Sequence, residues 1–191
     1  MYKIFISILL YFCIHSLAWG APNSSLQLDD NFSDKANLES VLAAQPFITT
    51  GSATFSILFW DLYQSQLKTT SGHYPISVES DELVFQIRYF ADISNEDLIM
   101  RTIEQWQHQG VPQKNYQGYI EALTAIWPNI KKGDNLAMLM QKDKSVFYFN
   151  NQYIGAINDD VFGQLFVDIW LDESTSEPRL RAQLLGGDDH E

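Results

Sequence analysis

The chain's longest organised stretch spans residues 135–170. The segments LAMLM and VFYFNNQYIGAI place apolar runs on either side of Asn150-Asn151, residues that accept the left-handed conformations of a tight hairpin turn. Gly155 follows in the return strand, where a missing side chain lets another element come close. The spacing of apolar positions then lengthens from two residues to a helical repeat. Asn158 or Asp159 stands where it can cap a helix whose apolar positions are Phe162, Leu165, Phe166 and Ile169, with Val161 and Trp170 beside them. So wide an apolar face must lie on a sheet, and the preceding hairpin is the nearest one. No catalytic grouping interrupts these aromatics, which read as core.

Upstream, residues 55–63 alternate Phe55, Ile57, Phe59 and Tyr63 with Ser56, Leu58, Trp60 and Leu62. Both faces are largely apolar, which predicts one strand covered on both sides. Ser71-Gly72 and Pro75 break the chain, and residues 83–90 form the next strand. Ser94 followed by Asp97 resembles a capping box, opening a helix with Ile99, Ile103 and Trp106 on one stripe and Gly110 and Pro112 at its end. A second helix carries Tyr116, Tyr119, Ile120, Leu123, Ile126 and Trp127 until Pro128. Residues 131–134 turn the chain back into strands. Pro178 opens a last helix, and Gly186-Gly187 closes it. A short helix over residues 36–44 completes the set. The order of strands, two helices, three strands and two helices predicts an α+β fold, an antiparallel sheet with helices on one face.

Composition narrows the function. Hydrophobic residues make up 46% of 191, enough for one domain with a sizeable core. A formal net charge of -12 excludes nucleic acid as a partner and disfavours an anionic membrane surface. Residues 1–20 differ from the rest: Lys3 is their only charge, residues 4–17 are mostly apolar, and Ala18-Trp19-Gly20 presents small residues where a signal peptidase reads. The apolar run is shorter than the roughly 20 residues of a membrane span, and Ser7, His15 and Ser16 interrupt it. These features predict a signal peptide cleaved before Ala21 and an exported protein, periplasmic or secreted, with no transmembrane span after cleavage. Cys13 lies within that segment, so the mature chain would hold no cysteine, no disulfide and no thiolate site. Residues 21–44 read as a leader and residues 188–191 as an acidic tail.

Candidate chemistry is sparse. His73, His108 and His190 show no ligand spacing, and no phosphate, dinucleotide or nucleophile-elbow motif is present, so no metal or cofactor is expected. Asp159-Asp160 is accounted for by the dipole of the helix it precedes. Arg88 projects from a nearly apolar strand, toward either solvent or an anionic group.

The pieces GSATFSILFWDLYQSQL, LVFQIRYFADIS, the helix ending in Trp106, IKKGDNLAMLM, NNQYIGAI and FVDIWLDESTSEPRLRAQLLG occur in one order. Together they resemble the chalcone isomerase-like family, in its bacterial secreted branch, over residues 45–187. The resemblance implies an open-faced β-sandwich, a large antiparallel sheet under a helix layer. Plant members close a chalcone with an arginine, a threonine, a tyrosine and an asparagine; related plastid proteins bind fatty acids. Aligned on Tyr63, the threonine falls near Leu58 and the arginine near Pro46, with no arginine anywhere in residues 36–87. Aligned on Trp106, the tyrosine falls near Ser94 and the asparagine near Arg101. None is retained. The resemblance therefore implies a non-catalytic domain that binds a small apolar ligand or fatty acid, the alternative being an isomerase- or lyase-type enzyme with a rebuilt site. The expected ligand position lies between sheet and helices, near Trp60, Tyr63, Arg88 and Tyr89.

Overall fold

The computed structural model describes residues 36–187; the predicted signal peptide, residues 21–35 of the leader and the tail at 188–191 lie outside the described residues. Among the described residues six strands pair in chain order, every neighbour antiparallel: β1 (Ile48–Ile57), β2 (Trp60–Thr69), β3 (Leu83–Tyr89), β4 (Asn135–Met140), β5 (Ser145–Phe149) and β6 (Gln152–Ile157). The helices are α1 (Leu38–Ala44), α2 (Asn95–His108), α3 (Gln113–Tyr116), α4 (Ile120–Ile126), α5 (Phe162–Leu171) and α6 (Pro178–Leu184). The α+β class and the open antiparallel sheet under helices agree with the sequence.

Local signals explain most of the elements. Asn150 and Asn151 adopt φ of 47° and 73° in the β5–β6 turn, the left-handed pair such a hairpin requires. The Ser94 hydroxyl oxygen accepts from the Asp97 amide at 3.0 Å and caps α2. Asp159 Oδ1 accepts from the amides of Val161 and Phe162 at 2.8 and 2.9 Å, just ahead of α5. Gly155 admits α4: a Cβ there would stand 2.7 Å from Ile126 Cγ1.

Three expectations are corrected. Residues 55–63 are not one strand covered on both sides but a hairpin. Ile57 pairs with Trp60, and Leu58-Phe59 form the loop, so the apolar residues crowd a turn instead of filling two faces. The helix expected over residues 116–127 is divided into α3, a 3-10 turn (Gln117–Tyr119) and α4, with Gly118 in the weak middle segment. Trp127 leaves the helix in extended conformation because Pro128 follows it. Finally, the helices are not confined to one face. Leu38, Val41 and Leu42 of α1 pack on the opposite face against Val84, Ala137, Leu139, Val146 and Tyr148. Asn151 holds α1 there, its carbonyl accepting from the Leu38 amide and its side chain from the Glu39 amide.

The main core lies between the sheet and α2, α4, α5 and α6. Phe166 sits at its centre, with ring contacts to Trp127, Phe147, Phe162 and Trp170 at 5.4–5.9 Å between centroids. Trp106 is fully buried and donates through Nε1 to the Leu165 carbonyl at 3.0 Å, tying α2 to α5.

Candidate functional site: a cleft under two helices

Where α2 and α5 pass over the open end of the sheet they leave a cleft of about 570 Å³. Its floor is strand side chains: Phe55, Tyr63, Ile87, Tyr89 and Leu136. Helical residues Leu98, Thr102, Phe166, Ile169 and Trp170 cover it, with Trp127 at the inner end of α4. The period-two geometry of β2 and β3 puts Tyr63 and Tyr89 opposite each other on the same face, in register, with ring centroids 6.2 Å apart. Phe55 extends the row, 5.2 Å from Tyr63.

Polar groups inside the cleft are few. Trp170 Nε1 donates to the Tyr63 hydroxyl oxygen at 3.1 Å. Burial pushes the Tyr63 phenol up to about 12, opposed by that N–H. Burial, and then the neighbouring Tyr63, drives Tyr89 upward as well. Both phenols stay neutral at physiological pH, so they serve as hydrogen-bonding handles and not as bases. The Trp127 Nε1–H is buried and has no hydrogen-bond partner among the described residues. An unmet buried donor costs roughly 1–3 kcal/mol.

Charge is confined to the residues nearest solvent. Among the described lining residues Arg101 is the one cation, against the carboxylates of Asp92, Asp97, Glu104 and Glu177. Arg101 is already engaged, its Nη1 lying 2.7 Å from Glu104 Oε2. Lys131 pairs with Asp92 at 2.9 Å, and with the Lys132 amide it holds that carboxyl below the usual range. His/Cys/Asp/Glu groups that could hold a metal are absent among the described residues.

The four residues expected to line a site are therefore divided. Tyr63 and Tyr89 come together in the cleft. Arg88 does not join them: it follows Ile87 and precedes Tyr89 in one strand, so its side chain lies on the other face, in register with Gln64 and Asn135, and is exposed. Trp60 does not join them either, because it ends the β1–β2 hairpin and is mostly in solvent. Residues not expected from the sequence supply the rest, chiefly Arg101, Trp127 and Trp170. Arg101 had a legible signal: Asp97, Arg101 and Glu104 recur at helical spacing beside the buried stripe of Ile99, Thr102 and Trp106.

Comparisons with known proteins agree with this architecture. An uncharacterized protein of Haemophilus influenzae (strain Rd) is 22% identical over 136 residues, which is 71% of this chain and 66% of that protein's length. A crystal structure of an Arabidopsis thaliana fatty-acid binding protein superposes with a TM-score of 0.54 over 73% of this chain and 86% of that one, at 7% identity, a likeness of fold. The profile of the chalcone isomerase-like family matches residues 46–186, which contain all six strands and most of the chain. By that match the chain belongs to the chalcone isomerase-like family.

Proposed function

We propose that this protein is a non-catalytic binding module that holds one small apolar or acyl ligand in the cleft beneath α2 and α5. The observation that carries the reading is the cleft itself: aromatic and aliphatic walls around two phenols that remain neutral. Ligand sites have this composition, an apolar enclosure with a few placed polar groups. The fold shared with a fatty-acid binding protein supports the same class of ligand.

The rim refines the head group. A carboxylate entering beside Arg101 must displace Glu104 and approach three further acids. An uncharged head, such as an ester or alcohol, meets no such opposition. Calorimetric titration with a long-chain fatty acid and its methyl ester tests this. Saturable binding with the ester at least as tight as the acid is expected, and Glu104→Gln should strengthen the acid by about three- to tenfold by freeing Arg101. Absence of saturable binding by both ligands would refute the reading.

We further propose that the protein acts outside the cytoplasm, on the strength of Lys3, the apolar run at 4–17 and Ala18-Trp19-Gly20. Sequencing the N-terminus of protein from the cell envelope should give Ala21; an intact Met1 would refute export by cleavage.

A further inference from the structure

The β1–β2 hairpin ends in a tip for which neither the core nor the cleft accounts. Ile57, Leu58, Phe59 and Trp60 are 51%, 81%, 95% and 68% exposed. Leu58 has φ of 57° at the first of two loop positions, where hairpins ordinarily use glycine. Turn formation and solubility both select against four consecutive large apolar side chains here.

The tip is continuous with the cleft. Ile57 belongs to both, being half in solvent and also part of the cleft lining, and Leu62 lines the cleft just beyond the tip. A stable protein interface needs about 20–30 residues a side, whereas the tip is a projection of four. Insertion into a lipid interface needs only apolar area and is non-directional. Tryptophan concentrates at that interface. The hairpin also pairs its own backbone up to Ile57 and Trp60, as apolar surroundings demand. Charge selects among bilayers. No lysine or arginine occurs in residues 52–67, and Asp61, whose carboxylate accepts from the Ser56 hydroxyl at 2.6 Å, flanks the tip. Anionic lipid therefore has nothing to attract it.

We propose that the Ile57–Trp60 tip docks into the interface of a zwitterionic phospholipid bilayer and holds the mouth of the cleft at that surface. Its use for loading an apolar ligand rests on the binding function proposed above; the docking itself does not.

The test uses the full chain with vesicles of phosphatidylcholine and phosphatidylethanolamine, with and without bromine on the acyl chains. Tryptophan emission is recorded for the wild type and Trp60→Phe. Their difference isolates Trp60 from the other four tryptophans, and the apolar run at 4–17 is common to both chains. The Trp60 component should be quenched at least twofold by brominated lipid, and Leu58→Asn with Phe59→Ser should abolish that quenching. Equal Trp60 emission in both vesicles, or quenching that survives the double substitution, would overturn the proposal. So would shielding of Trp60 by another protein or a second copy without quenching by lipid. Titration of a fatty-acid methyl ester in lipid-free buffer separates the two ideas. The tip variant should bind the ester as the wild type does. Failure of the wild type to bind the ester, with its Trp60 quenching intact, would remove the ligand reading and leave the docking.

Discussion

Leu58 holds a left-handed backbone that costs an ordinary side chain roughly 1–2 kcal/mol. Leu58→Gly should therefore raise the unfolding free energy by about 0.5–1 kcal/mol after the added freedom of the unfolded chain is subtracted, read as a higher urea midpoint. A fall in stability would mean the leucine packs against something in the folded protein. Tyr63 and Tyr89 give a pH signature. Their folded values lie above the ordinary phenol value of 10, Tyr63 at about 12. The stability they contribute is full below pH 10 and is lost as pH rises through the folded values. Tyr63→Phe should flatten that loss between pH 10 and 12 in denaturant titrations; an unchanged profile would mean the phenol is open to solvent. Part of the cleft was legible from single residues. Tyr63 and Tyr89 both follow from strand alternation, and the same alternation forbids Arg88 from sharing a face with Tyr89. Trp127 was not legible as a cleft residue, because its place depends on where Pro128 ends α4 relative to a sheet formed by other parts of the chain.

The hairpin turn at Asn150-Asn151, the cap of α2 and the close approach at Gly155 were all readable because each rests on neighbours in sequence. Gly155→Ala should cost about 1–3 kcal/mol through overpacking against Ile126. Ile126→Ala should recover part of that loss in a double-mutant cycle, since the clash involves Cγ1, Cδ1 and Cγ2, all of which alanine lacks. Additive effects would show that α4 stands off the sheet. The β1–β2 hairpin was not readable. A run of alternating apolar residues has the same spacing whether it continues as one strand or folds back, and no glycine or asparagine marks the turn at Leu58-Phe59. That α1 covers the second face of β3–β5 was not readable, because it depends on the distant Asn151 contact.

The whole molecule combines a core-rich half with an open end. Phe166 and its aromatic neighbours fill the space between α5 and β5, while the lesser burial of β1 and β2 leaves room for the cleft. Family and fold were legible because ordered motifs span the domain; the proposed lack of catalysis rests on the resemblance and on the absence of an arginine in residues 36–87. The purified protein should therefore leave chalcone closure at its uncatalysed rate in a spectroscopic assay, since each missing donor to the developing charge typically costs about 10²–10³ in rate. Acceleration abolished by Tyr63→Phe would instead reveal a rebuilt active site. The binding account is tested most directly by filling the cleft from its partly exposed helical side. Leu98 lines the cleft from α2 and is only half-buried, so Leu98→Trp adds bulk there without emptying the core. Calorimetric titration of a fatty-acid methyl ester should show one saturable site in the wild type and a loss of at least tenfold in affinity in Leu98→Trp, with the unfolding midpoint retained. Equal affinity in the two proteins would contradict the assignment of the ligand to this cleft.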